Sequence, residues 1–341
     1  MAPSLLHTLV ASQLGAERAS WLLDGLVLHR DLLVDGDDVP RVVLAQALGI
    51  VLLDDLLHRV PSAAAYADDR RAQGARLHLD HGAVRTVTGL PCGELAEGQE
   101  SLARFLRPLG YAEPVATYDL ARLRMTGRAW RHLDLPADVP QYFVSELHAD
   151  RFSAEFREAA ARVVRSSQDP LTGLALVHLQ RLAADGHLPV HQAQSLLGEL
   201  AACFARQHGV PSLADYETVR AESEEMAWIA TEGTAFNHAA DRVDDVMAVA
   251  EAERAAGRPI KDEVEVSGSG RVRQTAHRAA MVERPFKVGE RATETRTVPG
   301  SFFELITRHP LPDGSGPDLA FDAANAQGIF TMTRGPGPAS A

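Results

Sequence analysis

Leu77-His78-Leu79-Asp80-His81-Gly82-Ala83-Val84-Arg85-Thr86-Val87 is the stretch on which the reading of this chain turns. Its apolar residues alternate on either side of Gly82, the pattern of a strand buried on one face. Four apart on a strand, His81 and Arg85 project to the same side. A neutral imidazole with a guanidinium along the same face could hold a metal ion and an anion bound beside it. Taken alone, the plainer interpretation of His81 is a partly buried, hydrogen-bonded side chain. The chain, however, repeats the pattern.

The second copy is Gly233-Thr234-Ala235-Phe236-Asn237-His238-Ala239-Ala240-Asp241-Arg242-Val243, again a His after a short strand-like run with an Arg four residues on. Apolar residues at helical spacing predict a helix over 94–109 after the first copy and over 244–256 after the second. Strand-like segments follow each, at 115–119, 129–133 and 141–147 in the first half and at 263–266, 271–277 and 302–307 in the second. Each half therefore reads as one strand, one helix and three strands. Acids complete the repeat: Glu146 stands 65 residues after His81, and Glu304 stands 66 after His238. Two His and one or two carboxylates suit the facial triad of non-haem Fe(II), which leaves coordination positions open for substrate and dioxygen.

This plan resembles the vicinal oxygen chelate superfamily, whose paired βαβββ modules curl around a metal. Asp80-His81-Gly82-Ala83-Val84-Arg85, Ala137-Asp138-Val139-Pro140-Gln141-Tyr142-Phe143-Val144-Ser145-Glu146-Leu147 and Ser301-Phe302-Phe303-Glu304 are similar to the 2-oxoadipate dioxygenase/decarboxylase (hydroxyglutarate synthase) family, over about 74–330. The resemblance implies an α+β fold and an Fe(II) enzyme with His81, His238 and Glu304 as metal ligands. It implies that Arg85 binds the substrate carboxylate and that Glu146 lies near the metal without ligating it. The implied reaction takes a small 2-oxo dicarboxylic acid and dioxygen, oxidatively decarboxylates the acid and hydroxylates the shortened product in the same pocket. From 2-oxoadipate that gives 2-hydroxyglutarate and carbon dioxide. Two alternatives stay open: a redox-neutral isomerase or lyase of the same superfamily using Zn²⁺, Ni²⁺ or Mn²⁺ with Glu146 as a fourth ligand, and a non-catalytic binder of a small ligand.

Composition narrows the partners. The chain has 341 residues, enough for one large or two modest cores. Its formal charge of −12 argues against nucleic acid and anionic membrane surfaces. Cys92 and Cys203 are the two cysteines and share no CxxC spacing, as expected of free thiols in a reducing cytoplasm. Met1-Ala2-Pro3-Ser4-Leu5-Leu6 carries no basic residue ahead of its apolar ones, so no signal peptide is expected.

The segmentation that follows is an N-terminal helical region (1–73), a first module (74–150), a helical insert (151–230), a second module (231–310) and a closing segment with a tail (311–341). Run 42–53 is too short to span a bilayer and reads as a core helix. The N-terminal helices are expected on the outside of the first module, and the insert over the open side of the sheet. His7, His29 and His58 read as helix-surface residues. His187 and His191 are spaced for a metal, but Pro189 interrupts the helix that spacing needs. Gly268-Ser269-Gly270 reads as a tight turn, and Arg271, Arg273 and Arg296 as neighbours in a basic stripe. Segment 321–330 is expected to help shape the pocket.

Overall fold

The computed structural model describes residues 3–114 and 116–322. Helices come first: α1 (Leu5–Leu14), α2 (Ala16–Asp24), a short strand β1 (Asp38–Pro40), α3 (Arg41–Arg59) and α4 (Pro61–Ala72). Ser4 caps α1 by accepting the His7 amide, and Pro40 stands just ahead of α3, where its missing N–H costs no helix bond. From Val43 to Leu53, α3 is buried on every side, as the apolar run requires of a central helix.

The first module comprises β2 (Leu79–Thr88), α5 (Glu100–Leu106), β3 (Tyr111–Ala112), β4 (Tyr118–Leu120), β5 (Met125–His132) and β6 (Gln141–His148). The insert holds α6 (Ala154–Val164), α7 (Gly173–Asp185), β7 (His187–Pro189), α8 (Val190–Ala202), α9 (Leu213–Glu222) and α10 (Glu224–Glu232). Hydroxyls of Ser153, Thr172, Ser212 and Ser223 cap α6, α7, α9 and α10, which is why the helical pattern restarts at each. The second module runs through β8 (His238–Arg242), α11 (Val246–Ala255), β9 (Glu265–Val266), β10 (Val272–Ala276), β11 (Met281–Val288), β12 (Ala292–Pro299) and β13 (Phe302–Arg308).

Nine strands form one mixed sheet in the order β3-β5-β6-β2-β8-β13-β10-β9, with β4 beside β5. Within each module the His-bearing first strand pairs in parallel with the last, β2 with β6 and β8 with β13. The modules meet where β2 and β8 run antiparallel, His81 opposite Ala240 and Ala83 opposite His238. That reciprocal register makes His81 and His238 equivalent under an approximate two-fold axis. Two apolar layers cover the two faces. Val84, Tyr142 and Val144 turn toward the layer built with α1 and α3, while Ala83, Phe143 and Leu147 turn toward the layer built with α6, α9 and α10.

Several expectations are corrected. The first helix spans only Glu100–Leu106, because a Cys92–Leu95 turn and Gly98 at φ 58° occupy the residues before it. Expected strand 115–119 begins at Val115, outside the described residues, and the observed strand is Tyr118–Leu120. Between its third and last strands the second module carries a β11–β12 hairpin that the repeat did not announce. Arg296 belongs to that hairpin and pairs with Glu294, while Arg271 pairs with Asp318, so the three arginines form no single stripe. The N-terminal helices reach both modules: Gly49 of α3 lies against Pro140, and Tyr66 of α4 donates to Asp241 of β8. His29 precedes a 3-10 turn rather than lying on a helix. His187 sits on β7 and His191 on α8, parted by Pro189 as expected. Among the described residues no helix is long and apolar enough to cross a membrane.

Candidate metal centre

His81 and His238 enter the same point from the two central strands. Their Nε2 atoms lie 3.3 Å apart, and the Glu304 carboxylate of β13 comes within 3.8 Å of the first and 3.4 Å of the second. All three side chains are buried. They make a cluster of candidate ligand atoms lying within 4.8 Å of one another.

What turns the Nε2 atoms inward is the residue before each His. Asp80 Oδ1 accepts from His81 Nδ1 at 2.8 Å, and Asn237 Oδ1 accepts from His238 Nδ1 at 3.3 Å. A carboxylate oxygen can only accept, so Nδ1 of His81 carries the proton and Nε2 offers its lone pair. Asp80 is itself held by Arg308, whose Nε and Nη2 lie 2.9 Å from its oxygens, and by Arg242 Nε at 2.6 Å. Burial opposes the Asp80 charge, but Arg308, the His81 hydrogen bond and Arg242 outweigh it and keep the carboxyl well below its usual range. Burial also drives His81 down, and drives His238 further down with His81 and Arg85 adding to it, so both imidazoles are neutral at pH 7. Burial and then Asp80 raise Glu304 well above an ordinary carboxyl. Two neutral imidazole lone pairs and a carboxyl group meet at one dry point where a single proton, on Glu304, is all they can share; a divalent cation satisfies all three at once and would restore the Glu304 charge.

Arg85 lies on the same face of β2 as His81 and lines the same cavity, with Phe143, Ser145, Gln274 and Phe321. Its guanidinium is buried 5.0 Å from the Trp228 ring of α10, so α6, α9 and α10 of the insert close this side of the sheet, while its α7 and α8 pack in the other layer with α1 and α3. Burial lowers Arg85 to about 10, with Glu225 pulling upward, and it stays charged at neutral pH. Arg242, its counterpart after His238, is committed to Asp80 and the Ala137 carbonyl.

Glu146 is not brought to the cluster. Position 143 and position 145 of β6 face the cavity, so Glu146 faces the other way; there it pairs with Arg128 and accepts the Gln99 amide. The register explains why the nearly equal spacing misled. Gln141 stands beside His81 as Phe302 stands beside His238, so the equivalent of Glu304, two residues further on, is Phe143. A fourth ligand from Glu146 is thereby removed.

Sequence reasoning gave no role to Asp80, Asn237 or Arg308. The first two left a trace, since both candidate His residues follow directly on a side chain bearing an acceptor oxygen. Arg308 left none, because its contact with Asp80 crosses the sheet. It also donates to the Asp318 and Ala320 carbonyls, holding the strap that sets Phe321 5.0 Å from the His81 ring. Of segment 321–330, residues 323–330 lie outside those described, and Phe321 and Asp322 line the cavity.

Comparison with known proteins gives a concordant result. A family model for 2-oxoadipate dioxygenase/decarboxylase matches residues 51–331. A protein assigned to the glyoxalase superfamily from Ralstonia eutropha JMP134 is 50% identical and superposes with a TM-score of 0.89, covering 93% of this chain and 98% of that one. Hydroxyglutarate synthase from Oryza sativa, in complex with 2-oxoadipate, is 21% identical with a TM-score of 0.66, covering 87% and 95%. Its namesake from Pseudomonas putida, also in complex with 2-oxoadipate, is 21% identical with a TM-score of 0.62, covering 87% and 74%. At that identity the last two bear on the fold alone. No curated protein sequence matched. The fold is the α+β fold of the glyoxalase superfamily, and the match along 51–331 shows that this chain belongs to the 2-oxoadipate dioxygenase/decarboxylase family.

Proposed function

We propose that this protein is a non-haem Fe(II) dioxygenase that converts 2-oxoadipate and dioxygen to 2-hydroxyglutarate and carbon dioxide. The observation that carries the reading is the convergence of His81 Nε2, His238 Nε2 and the Glu304 carboxylate on one buried point beside the Arg85 guanidinium, in a chain of this family. Two nitrogens and one carboxylate on one face suit Fe(II) and leave the opposite face for a chelating 2-oxo acid and dioxygen. Bound Fe(II) supplies the oxygen-activating chemistry.

The protein's part is placement. Asp80 and Asn237 fix the Nδ1–H tautomers, so neither ligand needs to lose a proton to bind metal. Arg85 pairs with a carboxylate of the substrate; a guanidinium in a dry pocket prefers a bidentate carboxylate to water. Phe143 and Phe321 give that pocket apolar walls, which keep water from competing for the open positions. A 2-oxo acid substrate carries its own oxo-carboxylate chelate, so no separate co-substrate is needed.

Oxygen uptake by the anaerobically Fe(II)-loaded protein on addition of 2-oxoadipate, with product identification by mass, tests the proposal. Uptake with formation of 2-hydroxyglutarate is expected. An iron-loaded protein that consumes no oxygen with 2-oxoadipate would overturn the reaction, and a His238→Ala variant that kept both iron and turnover would overturn the ligand assignment.

A further inference from the structure

The β11–β12 hairpin pairs with no other strand of the main sheet, and its two outer edges are treated differently. Pro285 of β11 stands opposite Thr295 of β12, and Met281 opposite Pro299. Proline has no N–H, so both are non-hydrogen-bonded pairs, in which the backbone groups of the two residues turn away from the partner strand. Alternation extends this to Glu283 opposite Thr297 and Lys287 opposite Thr293. Lys287 agrees with it, donating its amide outward to the Pro211 carbonyl at 2.9 Å.

The β11 edge is thus closed, blocked by Pro285 and covered at Lys287. On β12 the same rule turns the N–H and C=O groups of Thr293, Thr295 and Thr297 to the open side, where no described residue bonds them. Residues 292–297 are all exposed. An open edge of β-branched residues, without proline or bulge in its middle, is what folds normally avoid unless something pairs with it.

The sequence of that edge, Ala292-Thr293-Glu294-Thr295-Arg296-Thr297, says what would fit. Laid antiparallel on a copy of itself about Thr295, it sets Thr295 opposite Thr295 and Thr293 opposite Thr297, each pair able to exchange both backbone bonds. Glu294 then falls opposite Arg296 of the other copy, and Arg296 opposite Glu294, in the closer non-hydrogen-bonded pairs. Within one chain the same two side chains already touch, at 2.6 Å. We infer that β12 is a self-complementary docking edge through which a second copy of this chain adds its own β12, giving a two-fold dimer with a continuous four-stranded ribbon.

Sedimentation velocity of the full chain, from micromolar to hundreds of micromolar, reads the proposal. A concentration-dependent dimer is expected. Arg296→Glu alone should weaken it roughly tenfold or more, since two attractive pairs become two repulsive ones. Combined with Glu294→Arg, the same change restores complementarity and should return the dimer to near wild-type strength. Thr295→Pro deletes one outward N–H without touching a bond of the β11–β12 ladder and should abolish pairing, with the circular dichroism of the chain unchanged. A chain that stays monomeric throughout, a dimer indifferent to Thr295→Pro, or a charge-swapped double variant no stronger than the single one would each overturn it.

Discussion

Asp80 is a fully buried carboxylate with three partners: His81, which it orients, and Arg242 and Arg308, which keep it charged. Replacing it with Asn removes the obligate acceptor at His81 Nδ1 and leaves the buried Arg308 and half-buried Arg242 guanidiniums short of an anion. Asp80→Asn should therefore lower Fe(II) affinity about 10- to 100-fold, measured by competition with a chelator, the range found when an outer partner of a metal-ligating His is lost. Unchanged affinity would mean that the His81 ring is positioned by packing alone. Arg85 makes the opposite prediction. It lines the cavity yet is not a candidate ligand, so Arg85→Gln should leave iron affinity within a few-fold while raising KM for a 2-oxo diacid by roughly 100-fold. Loss of iron with Arg85→Gln would place it in support of the metal instead of the substrate.

Among the elements, β2 carries the most meaning per residue. Gly82 stands between the metal-facing His81 and the inner layer because Phe236 occupies the space a side chain would need; a Cβ there would lie 2.2 Å from the Phe236 Cζ. Phe236 cannot retreat, being packed against Tyr142 and Phe204. Gly82→Ala should destabilise the protein by about 1–3 kcal/mol, the usual cost of overpacking. Adding Phe236→Leu should recover part of the loss in thermal melts; additive losses in the double variant would show that the two positions are not coupled. The periodic pattern made β2, β6, β8, α3 and the insert helices legible. It failed on α5, where turn geometry sets the boundary, and on the hairpin, whose buried face is reduced to Val282, Phe286 and Val298 among exposed residues and so is too sparse to show as alternation.

The scale of the whole molecule is where α4, outside either module, meets the sheet. Tyr66 donates to Asp241, and the His78 amide donates to the same carboxylate. Burial lifts Asp241 to about 7, above the ordinary carboxyl value of about 4 it has when unfolded. Because the folded pKa is the higher one, the favourable contribution of the protonated acid is complete below about pH 4 and is lost as pH rises through about 7. Asp241→Asn cannot titrate, so its stability relative to wild type should climb over that window, by up to ~4 kcal/mol at pH 8. Parallel pH profiles of denaturant midpoints for the two proteins would refute this.

The sequence by itself determined the two modules, the pairing of His81 with His238, the helical insert and the family, because strand alternation and repeated motifs are local properties of the chain. Spacing alone offered Glu304 and Glu146 on nearly equal terms, since distance along a chain does not record strand register. The family resemblance already chose Glu304, and the tertiary structure supplied the physical reason: the parallel pairings of β2 with β6 and β8 with β13 put Phe143, not Glu146, in the place equivalent to Glu304, and turn Glu146 away from the site. The bracing of Asp80 by Arg308, 228 residues away, was likewise decided by the fold, because a buried charge is satisfied by whatever the sheet brings beside it, at any distance along the chain.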